Sequence, residues 1–232
     1  MATYNGEKYI KEQLESILFQ LGENDEVIIS DDGSTDGTFK IIDSFNDKRI
    51  KFVFNESERG YTKNFENALV KCTGDVVFLA DQDDVWVSNK VERCVKALKN
   101  KSFVVSDNKI VDESLSTIKE SHFSEFSTEK GFIRNWALPR YVGACMAFRK
   151  EVLSKSLPFP PNSNLCAHDY WISLIAELYF NVEKVNEPLI LYRRHGSNAS
   201  SGGNKSKNKL IHKLKVRIYT FYYLILRGLN VF

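Results

Sequence analysis

Apolar residues set the first pattern in this chain. Ile10, Leu14, Ile17, Leu18 and Leu21 recur at helical spacing and predict an amphipathic helix near the start. EVIIS (26–30) is a short apolar run that reads as a buried strand and stops at DDGSTDG. Phe39, Ile42 and Phe45 fall on one side of the segment after Asp36, which predicts a second helix. IKFVF (50–54) reads as a strand, 61–71 as a helix facing Phe65, Ala68 and Leu69 inward, and DVVFLA (75–80) as another buried strand. NKVERCVKAL (89–98) follows as a helix and FVVS (103–106) as a strand. Short strands alternating with helices imply βαβ units and a largely parallel sheet. Beyond residue 107 the alternation loosens: VGACMAFRK (142–150) and PLILYRR (188–194) read as strands, HDYWISLIAELYF (168–180) as an amphipathic helix.

Composition sharpens this only in places. With 232 residues, 43% of them apolar and 27% charged, the chain is long enough for one α/β domain with appendages. The net charge of +2 hides an asymmetry. Up to Glu187 there are 23 Lys and Arg against 30 Asp and Glu, whereas from Pro188 onward there are 9 basic residues and no acid. A mildly acidic body with a basic tail favours an anionic partner for the tail. The body's acidity and the lack of a recognition motif argue against nucleic acid. Cys72, Cys94, Cys145 and Cys166 have no metal-ligand spacing and read as free buried thiols, consistent with a cytoplasmic setting. No signal peptide opens the sequence and no run of 18 apolar residues suggests a membrane span.

The chemistry-bearing residues stand where strands end. Ligands of open α/β sheets bind beyond the carboxyl ends of the strands, and two acidic clusters fall there: Asp31 and Asp32 after EVIIS, and Asp81, Asp83 and Asp84 after DVVFLA. Clustered carboxylates repel one another and are costly to desolvate. Hard oxygen ligands of this kind suit Mg²⁺, Mn²⁺ or Ca²⁺ and leave positions for diphosphate oxygens, although the same acids could simply cap the next helix. In DDGSTDG, Asp32, Ser34, Asp36, Gly37 and Asp43 also approximate a calcium-loop spacing, against which stand the strand that precedes it and the Asp at the last position. His168-Asp169-Tyr170-Trp171 opens a helix, where Asp169 serves either as a cap or as a general base. Tyr192-Arg193-Arg194-His195-Gly196 ends a strand with groups suited to a phosphate, or to a solvated basic turn.

Taken in order, ATYNGEKYI (2–10), SDDGSTDGT (30–38), ERGYTKNFENAL (58–69), ADQDDVWVSNK (80–90), HDYW (168–171) and YRRHGSN (192–198) resemble glycosyltransferase family 2, the inverting GT-A enzymes, over about residues 1–203. GYTKNF, DQDDVW and HDYW look most like bacterial members that build surface polysaccharides, including rhamnosyltransferases. The resemblance implies a Rossmann-like GT-A fold with a mostly parallel sheet flanked by helices. It implies that Ala2, Thr3 and Tyr4 line a nucleotide pocket with Glu7 nearby, that Asp32 binds the base with Asp31 beside it, and that Lys63 and Asn64 contact the donor. Asp81 and Asp83 match the DXD motif, with Asp83 the direct ligand of Mn²⁺ or Mg²⁺. Asp169 matches the catalytic base, and Arg194 and His195 match a closing loop that touches the diphosphate or the metal. The implied reaction moves a sugar from a UDP- or dTDP-sugar to a hydroxyl of a glycan or lipid-linked acceptor.

The family's first strand precedes the Ala-Thr-Tyr-Asn stretch, so the resemblance also implies a shortened first strand here. That keeps open a domain that binds nucleotide or a partner without turnover. A sugar-nucleotide-forming nucleotidyltransferase fits less well, because ATYNGEKYI lacks a Gly-rich basic loop. The tail, 204–232, repeats Leu210, Leu214 and Ile218 among lysines and reads as a basic amphipathic helix, either peripheral on an anionic membrane or packed on the domain or a second subunit.

Overall fold

A computed structural model describes residues 1–196, Asn198 and 210–232. In chain order the elements are β1 (Ala2–Thr3), α1 (Ile10–Leu18), β2 (Val27–Asp31), α2 (Thr38–Ser44), β3 (Ile50–Phe54), α3 (Tyr61–Leu69), β4 (Val76–Phe78), β5 (Val85–Trp86) and α4 (Lys90–Ala97). There follow β6 (Phe103–Val111), β7 (Thr117–Lys119), α5 (His122–Phe126), α6 (Phe132–Ala137), β8 (Met146–Arg149), α7 (Lys150–Ser156), α8 (His168–Tyr179), β9 (Val182–Arg193) and α9 (Leu210–Gly228).

The first half is the alternating unit that the apolar pattern predicts. β1, β2 and β3 form a parallel three-stranded sheet in that order, with Ala2 opposite Ser30 and Val27 opposite Ile50. All five residues of β2 are buried, so its continuous apolar run reflects cover on both faces. α1 buries Ile10, Leu14, Ile17 and Leu18 as its spacing requires. Phe39 of α2 is half-exposed and lies edge-on against Phe52 of β3, an outer strand that is itself only partly covered.

The second sheet is mixed, in the order β4-β8-β6-β9-β5, with β7 added beside β6. β6 pairs parallel with β9, while β4–β8, β6–β8 and β5–β9 are antiparallel. Two strands run further than their apolar cores suggest. β6 continues past FVVS through Asp107 and Asn108, which like Ser106 are polar yet buried. Asp107 accepts hydrogen bonds from the Phe123 amide at 2.9 Å and the Ser121 hydroxyl at 2.5 Å, which explains how a carboxylate sits inside the sheet. β9 begins at Val182, six residues before PLILYRR, and its pairing with β6 shifts register near Asp107, where Pro188 stands opposite. VGACMAFRK is a strand only from Met146, preceded by a 3-10 turn at Gly143–Cys145.

α9 packs on the body with one face. Thr220, Leu224 and Arg227 are buried. The Arg227 guanidinium donates to the carbonyls of Leu157 and Pro158, each at 2.5 Å, and the Trp136 indole donates to the Arg217 carbonyl at 3.3 Å. The opposite face leaves Leu214, Ile218, Tyr222 and Ile225 exposed. The expected boundary at 203/204 lies outside the described residues. No described helix is long and apolar enough to cross a membrane.

Candidate active site

Strand ends and helix starts converge on a cleft of about 820 Å³. The loop from β4 to β5 carries Asp81-Gln82-Asp83-Asp84, and one ligand oxygen from each of the three aspartates falls within 4.8 Å of the others. Asp83 Oδ2 faces His195 Nε2 at 2.7 Å and accepts from Asn198 Nδ2 at 3.1 Å. Asp84 is fully buried; one oxygen accepts the Arg193 amide at 3.0 Å and the other has no partner. Burial, then the charges of Asp83 and Asp169, pushes the Asp81 carboxyl up to about 7. Burial and the neighbouring Asp83 raise Asp84 as well. The buried Lys90 ammonium offsets part of this field while donating to the Ala144 carbonyl at 2.7 Å. A crowded all-carboxylate set with a buried unpartnered oxygen fits a hard divalent cation.

Across the cleft, Asp169 is the second residue of α8, whose cap is Ala167, so it is not the capping residue itself. One carboxylate oxygen accepts the Tyr170 amide at 2.7 Å. The first turn of a helix favours a negative side chain. Gly143 permits this approach: a Cβ there would lie 3.1 Å from Asp169 Cβ and 3.3 Å from His168 Nε2.

The remaining wall comes from β1 and β2. Asp32 lines the cleft, its oxygens held by Asn55 Nδ2 and the Gly60 amide, each at 2.7 Å. Ala2, Thr3, Tyr4 and Asn64 line it too; Asn64 Nδ2 donates to the Thr3 carbonyl at 3.0 Å. Asp81, Asp83, Asp169 and His195 therefore share one cavity with the expected nucleotide residues.

Four other expected residues stand outside that lining. Glu7 accepts the Gly37 amide at the start of α2, 2.6 Å away. Asp31 takes the amides of Gly33 and Ser34 and the Thr3 hydroxyl. Lys63 pairs with Glu66 at 2.7 Å, and the Arg194 guanidinium lies over the Tyr192 ring at 5.9 Å. In the DDGSTDG loop the oxygens of Asp36 are spent on Thr38 and the Glu7 amide, so that loop braces the fold behind strand β2 and does not follow the calcium-loop reading. Arg193 does not offer itself to phosphate either. It is buried, donates to the carbonyls of Asp83 and Glu113 at 2.8 and 2.6 Å, and pairs with Glu12.

Sequence reasoning passed over Gln82. Its amide accepts from the Tyr4 amide at 2.9 Å and donates to the Tyr4 carbonyl at 3.0 Å, clasping β1's exit to the acidic loop. Gly6 makes room for it, since a Cβ there would sit 2.3 Å from Gln82 Oε1. Gly6→Ala should therefore release the clasp and weaken binding of a ligand seated in this cleft about tenfold, the worth of one to two net hydrogen bonds. Calorimetric titration checks it, and Gln82→Ala should give the same loss.

Fold and site together define an α/β domain of the GT-A type, with an acidic cluster and the Asp169 carboxylate facing one cleft. The sequence profile described as Glycosyl transferase family 2 matches residues 1–157. This chain belongs to that family. It is 27% identical over 212 residues to the UDP-Glc:alpha-D-GlcNAc-diphosphoundecaprenol beta-1,3-glucosyltransferase WfgD of Escherichia coli, covering 89% of this chain and 79% of that protein. It is 29% identical over 213 residues to the dTDP-rhamnosyl transferase RfbG of Shigella flexneri, covering 85% and 72%. Its fold resembles S. aureus TarS 1-349 in complex with UDP-GlcNAc, with a TM-score of 0.70 and 18% identity over 95% of this chain and 70% of that one. Across four crystallised TarS chains it spans between 36% and 70% of their length.

Proposed function

We propose that this chain transfers a hexose from a UDP- or dTDP-sugar to a hydroxyl of a surface polysaccharide or lipid-linked glycan, with inversion at the anomeric carbon. The observation that carries this reading is one cleft holding Asp32, the Asp81-Asp83-Asp84 cluster and Asp169 together. Asp83 and Asp81, with His195 beside them, would hold Mn²⁺ or Mg²⁺. Such an ion, when bound, neutralises charge on a leaving diphosphate. Asp32 and the Ala2-Thr3-Tyr4 backbone receive the nucleoside. Asp169 takes the proton from the acceptor hydroxyl as its oxygen attacks opposite the diphosphate, the single-displacement geometry of inverting enzymes. UDP-glucose and dTDP-rhamnose are the donors to try first, being the chemistry named for the two relatives above.

Thermal-shift titration with UDP, dTDP and GDP, each with and without Mn²⁺, tests the donor site, because a ligand of the folded state raises the melting temperature. One nucleotide should stabilise the chain only with metal, and Asp83→Asn should abolish the shift. A folded protein silent toward all three would sink the reading.

A lipid-linked acceptor also gives the outward face of α9 a purpose. Leu214, Ile218, Tyr222 and Ile225 are exposed beside Lys213 and Lys215, a composition suited to an anionic bilayer surface. The chain should co-sediment with vesicles containing phosphatidylglycerol and not with neutral ones, and Leu214→Glu with Ile218→Glu should end the association. Equal sedimentation with neutral vesicles would count against it.

A further inference from the structure

His168 sits beside the proposed base and is left without a hydrogen bond. It is the first residue of α8, only 5% exposed, and neither Nδ1 nor Nε2 has a partner. The ring stacks on Phe65 with centroids 4.0 Å apart and planes 20° apart, and meets Tyr61 edge-on at 5.9 Å. Its orientation is thus fixed by packing, and so are the directions of its two nitrogens. One of them, Nε2, lies at the wall where Gly143 has no side chain to cover it.

A buried polar group without a partner costs free energy, and a phenyl ring would fill the same slot on Phe65 without that cost. The imidazole therefore earns its place when something fills the cleft. Burial holds its pKa below the ordinary histidine value, so the ring is neutral and offers one donor and one acceptor. A hydroxyl, which both donates and accepts, can meet the wall-facing Nε2 in either tautomer. A phosphate could meet it only where Nε2 carries the proton, and its charge is better met by a cation at the Asp81-Asp83 end. A second orphan lies in the same cleft: Asn64 Oδ1 on α3 is buried and unpartnered, while its Nδ2 is already committed to Thr3.

The geometry points to His168, seconded by Asn64 Oδ1, as a hydrogen-bonding contact for a hydroxyl of a sugar ring lying against Asp169. This rests on the transferase reading and adds to it a residue that discriminates the sugar itself from the nucleotide that carries it. The hydroxyl belongs to the transferred sugar or to the acceptor sugar, and both present the same chemistry to the imidazole.

The test uses the full chain with Mn²⁺, titrated calorimetrically with UDP, UDP-glucose, dTDP and dTDP-rhamnose, followed by acceptor kinetics with whichever donor binds. His168→Phe keeps the stacking and removes both nitrogens; His168→Gln restores a donor and an acceptor near the position of Nε2. If the hydroxyl is the donor's, His168→Phe should lower sugar-nucleotide affinity about tenfold, leave the bare nucleotide within about twofold, and His168→Gln should recover most of the loss. If it is the acceptor's, donor affinity should hold and the acceptor KM should rise by a similar factor, again with recovery in His168→Gln. The melting temperature of His168→Phe should equal or exceed that of the parent. A parent-like sugar-nucleotide affinity and acceptor KM in His168→Phe would overturn the inference. So would a lower melting temperature that His168→Gln restores, because the imidazole would then be satisfied within the protein. A parent chain that binds no nucleotide at all would instead fail the transferase reading.

Discussion

Asp169→Asn should lower kcat by about three orders of magnitude while leaving donor affinity nearly unchanged. The substitution preserves shape. An asparagine carbonyl oxygen can still accept the Tyr170 amide, so α8 keeps its first turn. What disappears is the ability to accept a proton from the attacking hydroxyl. Asp169 is also one of the charges that raise Asp81, so its neutralisation relieves repulsion within the cleft. The variant should therefore melt no lower than the parent. Steady-state kinetics with calorimetry on the same samples separates the two effects. A parallel loss of donor affinity would mean that Asp169 binds the donor and does not act as base.

The acidic cluster makes the second large effect, a dependence of stability on pH and metal together. In the unfolded chain an aspartate titrates near pH 4. In the fold, Asp81 is pushed up to about 7, and Asp84 is raised too. The folded state thus binds more protons than the unfolded state between these values, and stability falls as pH rises. The metal-free protein keeps the full contribution below about pH 4 and loses it progressively until about pH 7, where ionisation of Asp81 is half complete in the fold. Each pKa unit corresponds to about 1.4 kcal/mol, so the loss is on the order of a few kcal/mol. For a chain of this size that lowers the melting temperature by several degrees, about 2–4 °C for each kcal/mol. A divalent cation binds the ionised form, so added Mn²⁺ should recover the loss at about pH 7.5 and do little at about pH 5. Melting curves in chelator and in Mn²⁺ at both pH values check it. A metal-free protein that became more stable on going from pH 5 to 7.5 would contradict the assignment of these shifts.

Much of this arrangement was legible in the sequence, for physical reasons. EVIIS and DVVFLA declare buried strands with Asp32, Asp81 and Asp83 at their ends, the order of the motifs added Asp169 by resemblance, and all four are found around one cleft. The polar half of β6 was not legible, because nothing local shows that Ser121 and the Phe123 amide will serve Asp107. Arg193 looked like a phosphate ligand, yet its partners Glu12, Asp83 and Glu113 come from distant stretches of chain. His168 gave no signal at all, since the absence of a partner is a property of the folded surroundings alone.

The clasp between Gln82 and Tyr4 has a consequence for sequence drift in this family. Glycine at position 6 and glutamine at position 82 occupy the same small volume, separated by 76 positions in the chain. Neither can change freely. A lineage that gains a larger residue at position 6 must shorten or redirect the residue at 82, and a return to glutamine at 82 is then blocked until position 6 is glycine again. The two positions should behave as one heritable unit: Gly6→Ala with Gln82→Ser should lose no more nucleotide affinity than either change alone, and not the product of the two losses.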